Sequence, residues 1–198
     1  MQKTIKIISW IFIFSGIALL VIGPDRLPDF YNPGYMAGAA FASAFAIIAP
    51  VWFFKSEDPL KKKARLELQG FILLAVVLNG LGALGLYKLY LVGFEYDKFV
   101  HFITPLVLVL GAARFGMIWY GRDIGSALKW SLAAVLVGAV GWEFYEVFSD
   151  AIFGTQSFGV YGEAVVKDTV IDLLMNIFGA ALAAIIIIFY KRKQVEKN

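Results

Sequence analysis

The stretch that most constrains this chain is residues 167–193, which read KDTVIDLLMNIFGAALAAIIIIFYKRK. Between residues 173 and 190 the only strongly polar side chain is that of Asn176, and three basic residues then end the apolar run. An apolar segment of this length predicts a membrane-spanning helix. Asp168, Asp172 and Asn176 recur every four residues, so they share one face of that helix. Because such groups are costly in lipid, we expect this face to meet other helices or water.

The composition of the whole chain is typical of an integral membrane protein. Of its 198 residues, 60% are hydrophobic and 16% are aromatic, and the mean hydropathy is +0.75. These values predict a single domain over residues 1–198, an all-α polytopic bundle that is embedded in the lipids of a cell membrane. The chain has no cysteine, which excludes disulfides and thiolate metal sites. Its net charge of +3 comes from short basic clusters between apolar runs, so we expect no nucleic-acid partner.

Six apolar segments predict six transmembrane helices, at about residues 5–23, 35–54, 66–86, 97–120, 125–148 and 168–190. The first resembles a signal peptide but is followed by no small-x-small cleavage site, so we expect it to be an uncleaved span. Residues 55–65, which carry the KKKAR run, are expected to form a charged loop. Residues 149–167 are expected to be the longest external connection.

The distribution of Lys and Arg predicts the orientation of the bundle. With six spans, 14 of the 18 basic residues fall on the side that holds both chain ends, and the other side holds only Arg26, Lys88, Lys98 and Lys167. Loops rich in Lys and Arg stay in the cytoplasm. Both termini are therefore expected to be cytoplasmic.

Three of the predicted spans carry polar residues close to the outer membrane face. The fourth, fifth and sixth spans each bring residues one helical turn apart, and we expect a shared polar site in the outer part of the membrane that comprises Asp97, His101, Glu143, Glu146, Asp168, Asp172 and Asn176. Taken singly, each residue also has a simpler explanation. A carboxylate caps a helix start or is solvated at a helix end, and a lone histidine is usually a hydrogen-bonded packing residue.

The residue types of this site suit a hard divalent cation such as Mg²⁺, Mn²⁺ or Ca²⁺, which prefers oxygen ligands. We name Asp97, His101, Glu143 and Asp172 as the candidate ligands. Five carboxylates in one pocket would otherwise repel one another, which favours either a bound cation or bound protons.

Two neighbouring features bear on this site. The glycine- and aromatic-rich connection after the fifth span could fold over the site as a lid or lie on the membrane, and it includes Gly154, Thr155 and Gln156. Lys98 and Lys167 directly follow or precede site aspartates. We expect their ammonium groups to snorkel to water, with contact to an anionic headgroup as the alternative.

Four motifs within residues 96–180, YDKFVHF, EFYE, FGTQ and DTVIDLLMNIFGA, resemble the YjdF-type family of uncharacterised bacterial inner-membrane proteins. More distantly, DK-x-x-H, a later Glu and D-x-x-x-N-x-x-G are similar to the VanZ-like family, which is linked with glycopeptide (teicoplanin) resistance. The resemblance implies an integral membrane protein of the cell inner membrane and marks the same seven polar residues as shared positions. This chain departs from the VanZ-like pattern at Tyr145 and Glu146, where that family has Glu with a nearby Gln.

The sequence leaves three functions open. One is an enzyme or binding protein for a lipid-linked, anionic cell-envelope substrate, in which a bound cation holds the anion. The second is a structural or assembly protein whose polar cluster locks helices together. The third is a proton- or cation-coupled transporter. The first requires an opening from the site to lipid or outside water, the second requires every carboxylate to be paired, and the third requires a polar route to the cytoplasm.

Overall fold

The computed structural model describes residues 2–22, 26, 32–154 and 164–195, and within these ranges the chain is helical and contains no strand. The described residues form six long helices, each with a segment apolar enough to cross a membrane: α1 Gln2–Ile22, α2 Pro33–Phe53, α3 Pro59–Ala83, α4 Tyr96–Tyr120, α5 Ile124–Phe153 and α6 Ala164–Val195. A short 3₁₀ helix, Leu86–Val92, connects α3 to α4. The prediction of an all-α bundle with six transmembrane helices is confirmed.

Side-chain caps explain where several helices begin. The side chain of Asn32 accepts a hydrogen bond from the Tyr35 amide before α2, and Asp123 does the same for Ser126 before α5. At α3, the Asp58 carboxylate accepts from the Leu60 amide and Pro59 occupies the first turn. The KKKAR run therefore lies in the first turns of α3, and the prediction that it forms a loop is wrong.

The fifth helix is longer than its apolar pattern predicted. It continues to Phe153, and Gly154 ends it with a φ of +64°, a left-handed conformation that glycine adopts without strain. Residues 149–153 are thus helical, although the sequence analysis expected them in the external connection. The sixth helix likewise begins at Ala164, before the predicted span. The polar residues that the sequence analysis named on the fifth and sixth spans therefore lie within regular helix.

The fourth helix is the centre of the second half of the chain. It packs against α3, α5 and α6, and most extensively against α6. The close approach depends on Gly179, because a Cβ built there would overlap the backbone carbonyl of Phe102. Beyond this contact a compact apolar core joins α4 and α6, formed by Val109, Ala113, Ala180, Ala183 and Ile187. Helix packing of this kind fixes which faces of α4 and α6 meet.

Candidate functional site

The polar cluster lies where α4 and α6 begin and α5 ends, an end of the bundle called here the α4-start end. Its centre is the ammonium group of Lys98, whose side chain is only 13% exposed. The Nζ atom lies 2.8 Å from both carboxylate oxygens of Asp172, 2.5 Å from Asp168 Oδ1 and 3.2 Å from Asp97 Oδ2. One cation thus links three aspartates on two helices, and this corrects the expectation that Lys98 snorkels to water.

The imidazole of His101 is buried between two groups of carboxylates. Its Nε2 atom faces Asp97 Oδ1 at 3.6 Å and Asp172 Oδ1 at 3.9 Å. Its Nδ1 atom lies 3.1 Å from Asn176 Nδ2 and 3.7 Å from Glu143 Oε1. The two ring nitrogens therefore face different partners: an aspartate pair that is already joined to Lys98, and a glutamate supplied by α5.

The glutamates of α5 form the second side of the cluster. Glu143 is 6% exposed, and among the described residues its Oε1 atom has no hydrogen-bond partner. Glu146, one turn further on, accepts a hydrogen bond of 2.7 Å from the indole Nε1 of Trp142. One ligand atom each from His101, Glu143 and Glu146 can be chosen so that all three lie within 4.8 Å of one another. A second such group is formed by Asp97, His101 and Asp172.

Two carboxylates at the α4-start end of the cluster are partly exposed among the described residues. The side chains of Asp97 and Asp168 are 36% and 37% exposed, whereas that of Asp172 is 5% exposed. A path of carboxylates thus leads from the surface of the α4-start end to the buried residues His101 and Glu143. Toward the other end of the bundle, the buried residues between α4 and α6 are the apolar core that begins at Val109.

The sequence analysis named seven polar residues, and in the structure all seven lie together around Lys98 and His101. Of the candidate lid, Gly154 is exposed and ends α5, and Thr155 and Gln156 lie outside the described residues. The sequence analysis named Lys98 but did not place it inside the cluster, and it missed Trp142. Lys98 precedes His101 by three residues, so helical spacing places both on one side of α4. Trp142 precedes Glu146 by four residues, which is the spacing of their hydrogen bond.

The family model for a group described as "Predicted membrane protein (DUF2238)" matches residues 7–193 of the chain. The chain belongs to this family. Membership in the DUF2238 family, together with six long apolar helices, establishes a multi-pass membrane protein that contacts membrane lipids. The match agrees with the membrane location that the YjdF-type and VanZ-like resemblances implied and supports neither of those names. No curated protein and no solved structure matches the chain.

Proposed function

We propose that this DUF2238 protein binds a divalent cation in the polar cluster and, through that cation, an anionic headgroup of a lipid-linked cell-envelope molecule. The observation that carries the proposal is the unpartnered Oε1 atom of the buried Glu143. A buried carboxylate oxygen without a partner loses its hydration and gains nothing in return. A cation at this position would supply the missing interaction.

The charges of the cluster also favour a bound cation. It contains five carboxylates, which belong to Asp97, Glu143, Glu146, Asp168 and Asp172, and the ammonium group of Lys98 contacts the three aspartates. With all carboxylates ionised and His101 neutral, five negative charges and one positive charge leave a net charge of −4. Such a site repels a bare anion, so an anionic headgroup needs a metal ion to hold it.

The orientation predicted from the sequence puts this site at the outer face of the cell membrane in our proposal. The Lys and Arg distribution supports cytoplasmic termini, and α4 then begins on the outer side. The exposed carboxylates of Asp97 and Asp168 would face the outer water and headgroups. A lipid-linked substrate reaches such a site without leaving the membrane, and the likeness to VanZ-like proteins is in keeping with a cell-envelope molecule.

The same geometry argues against the two other functions. A purely structural cluster would pair every carboxylate, and Glu143 Oε1 is unpaired among the described residues. A transporter needs a polar route through the membrane. Beyond the cluster, the core between α4 and α6 is built instead from apolar residues such as Val109, Ala113 and Ala183.

The test is lipid retention by the purified protein. Wild-type protein in detergent with Mg²⁺ is expected to retain anionic phospholipid or another lipid-linked anion, measured by mass spectrometry and phosphorus assay, and EDTA should release it. Asp172→Asn, which removes one buried charge without changing shape, should reduce retention. Glu57→Gln, in the exposed segment before α3, should not. Retention that is unaffected by EDTA and by Asp172→Asn would refute the proposed function.

A further inference from the structure

We infer that the metal cation binds to Nδ1 of His101 and to the carboxylates of Glu143 and Glu146. The aspartates and Lys98 do not bind it; they lie on the other side of the imidazole and fix its orientation. This assignment takes from the proposed function only that a metal cation binds in the polar cluster. It divides the polar cluster into a ligand side on α5 and a supporting side on α4 and α6.

On the aspartate side, the ammonium group of Lys98 already neutralises part of the negative charge. The ammonium group of Lys98 lies within hydrogen-bond distance of Asp97, Asp168 and Asp172. A metal ion between Asp97 and Asp172 would sit beside this ammonium group and would be repelled by it. Of the metal ligands named from the sequence, His101 and Glu143 are therefore kept in this assignment, and Glu146 takes the place of Asp97 and Asp172.

The glutamate side lacks such a partner. Glu143 is more than nine-tenths buried, its Oε1 atom has no hydrogen-bond partner among the described residues, and it points toward His101 Nδ1 at 3.7 Å. The indole of Trp142 satisfies one oxygen of Glu146. An ionised carboxylate has about four acceptor positions, so Glu146 can accept this bond and still bind a cation.

The groups around His101 are ordered like those around a metal-bound histidine, with Nε2 contacts that are longer than hydrogen bonds. Such histidines present one ring nitrogen to the metal and direct the other N–H to a carboxylate, which fixes the tautomer and the ring orientation. Here Nε2 faces Asp97 and Asp172 at 3.6 and 3.9 Å, and Lys98 anchors both of these carboxylates. Nδ1 is then the unprotonated ring nitrogen, and it is the atom that faces Glu143.

Asn176 is the remaining polar group on the ligand side. Its Nδ2 atom lies 3.1 Å from His101 Nδ1, so the amide donates to the imidazole when no metal is present. Rotation of the amide by half a turn exchanges nitrogen for oxygen at the same position. Asn176 Oδ1 would then face a cation at Nδ1 as a further oxygen ligand.

The spacing of the ligand atoms fits this assignment. Ligand atoms bound to one cation at about 2.0–2.6 Å lie roughly 3–5 Å apart. The chosen atoms of His101, Glu143 and Glu146 are all within 4.8 Å of one another. One imidazole nitrogen with two carboxylates suits Mn²⁺, and this ion also serves as a spectroscopic probe because it is paramagnetic.

The experiment is a Mn²⁺ titration of the detergent-purified full chain, followed by electron paramagnetic resonance. Wild type is expected to bind Mn²⁺ with a ¹⁴N electron spin echo modulation from the coordinated imidazole. Glu143→Gln and Glu146→Gln, which keep the shape of each side chain, should each weaken binding by about tenfold or more, since loss of even an outer-shell partner costs about 10–100-fold. Gel filtration checks that each variant is folded.

The matched control is a carboxylate outside the cluster. Glu57→Gln makes the same change of Glu to Gln at an exposed side chain before α3, and it should leave both the affinity and the ¹⁴N modulation close to wild type. If wild type binds no Mn²⁺, or binds it without ¹⁴N modulation, or binds it equally well in both glutamate variants, the assignment is wrong. Cation binding that follows this pattern without cation-dependent lipid retention would uphold the assignment and refute the proposed function.

Discussion

Replacing Lys98 by methionine tests the energetic centre of the polar cluster, because methionine keeps most of the side-chain length and removes the charge. The ammonium group is 2.8 Å from both oxygens of Asp172, and both side chains are largely buried, at 13% and 5% exposure. Removing one partner of a buried ion pair costs about 3–5 kcal/mol, because the other charge is left uncompensated. We expect Lys98→Met to lower the free energy of unfolding by about that amount.

The rim of the same cluster provides the comparison. Asp168 is 37% exposed, so solvent screens its interaction with Lys98, and Asp168→Asn should cost no more than about 1 kcal/mol. Lys88 lies at the same end of the bundle and is exposed. Lys88→Met should therefore change stability by no more than about 0.5 kcal/mol.

The assay is unfolding in mixed detergent micelles with increasing sodium dodecyl sulfate, followed by tryptophan fluorescence. A double-mutant cycle of Lys98→Met and Asp172→Asn isolates the pairwise interaction. We expect the double variant to be more stable than the sum of the two single effects predicts, by about 0.5–3 kcal/mol. A cost of Lys98→Met no greater than that of Lys88→Met, or strictly additive effects in the cycle, would show that this ion pair does not hold α4 to α6.

Three further predictions concern packing, orientation and surface charge. Gly179→Val should separate α4 from α6, because its side chain would overlap the Phe102 carbonyl; loss of folded protein in gel filtration checks this, and a wild-type elution profile would contradict it. A single cysteine at Tyr90 should react with an impermeant thiol reagent in intact cells and one at Lys62 should not; the reverse pattern would invert the orientation. The Lys62 ammonium, 2.6 Å away, lowers the pKa of Glu57, so the small stabilisation from this pair is present above the ordinary carboxyl pKa and is lost as pH falls through the lowered value. Because Glu57 is 98% exposed, this stabilisation is too small to measure, so Glu57→Gln should leave the unfolding midpoint at pH 7 unchanged within error; a clear shift would contradict this reasoning.

The cation site has its own pH dependence. Protons compete with a metal ion for carboxylate oxygens and imidazole nitrogen, so the apparent affinity should fall as the pH drops. A divalent cation is expected to raise the thermal stability of the purified protein at pH 7 and to have little effect near pH 4.5. Glu143→Gln should remove most of the stabilisation at pH 7. An equal stabilisation at both pH values would point to binding elsewhere on the protein.

The sequence by itself determined the features that depend on local periodicity. Runs of apolar residues long enough to cross a membrane predicted the six helices. In lipid the backbone N–H and C=O groups cannot bond to water, and a helix pairs them within one segment. The four-residue spacing of Asp168, Asp172 and Asn176 predicted a common polar face, because i and i+4 are neighbours on any α-helix. Helix ends were predicted less well, since the caps at Asp58 and Gly154 extend α3 and α5 beyond their apolar segments.

Only the tertiary structure decided which charges pair. Lys98 contacts Asp172, 74 positions away along the chain, and this contact depends on how α4 and α6 are rotated about their axes. That rotation is set by close packing between Gly179 and Phe102, which no local pattern encodes. The structure also leaves Glu143 Oε1 without a partner among the described residues, which the sequence did not predict. Helical spacing predicts which residues share a face of one helix, whereas the pairing of charges follows from the contacts between helices.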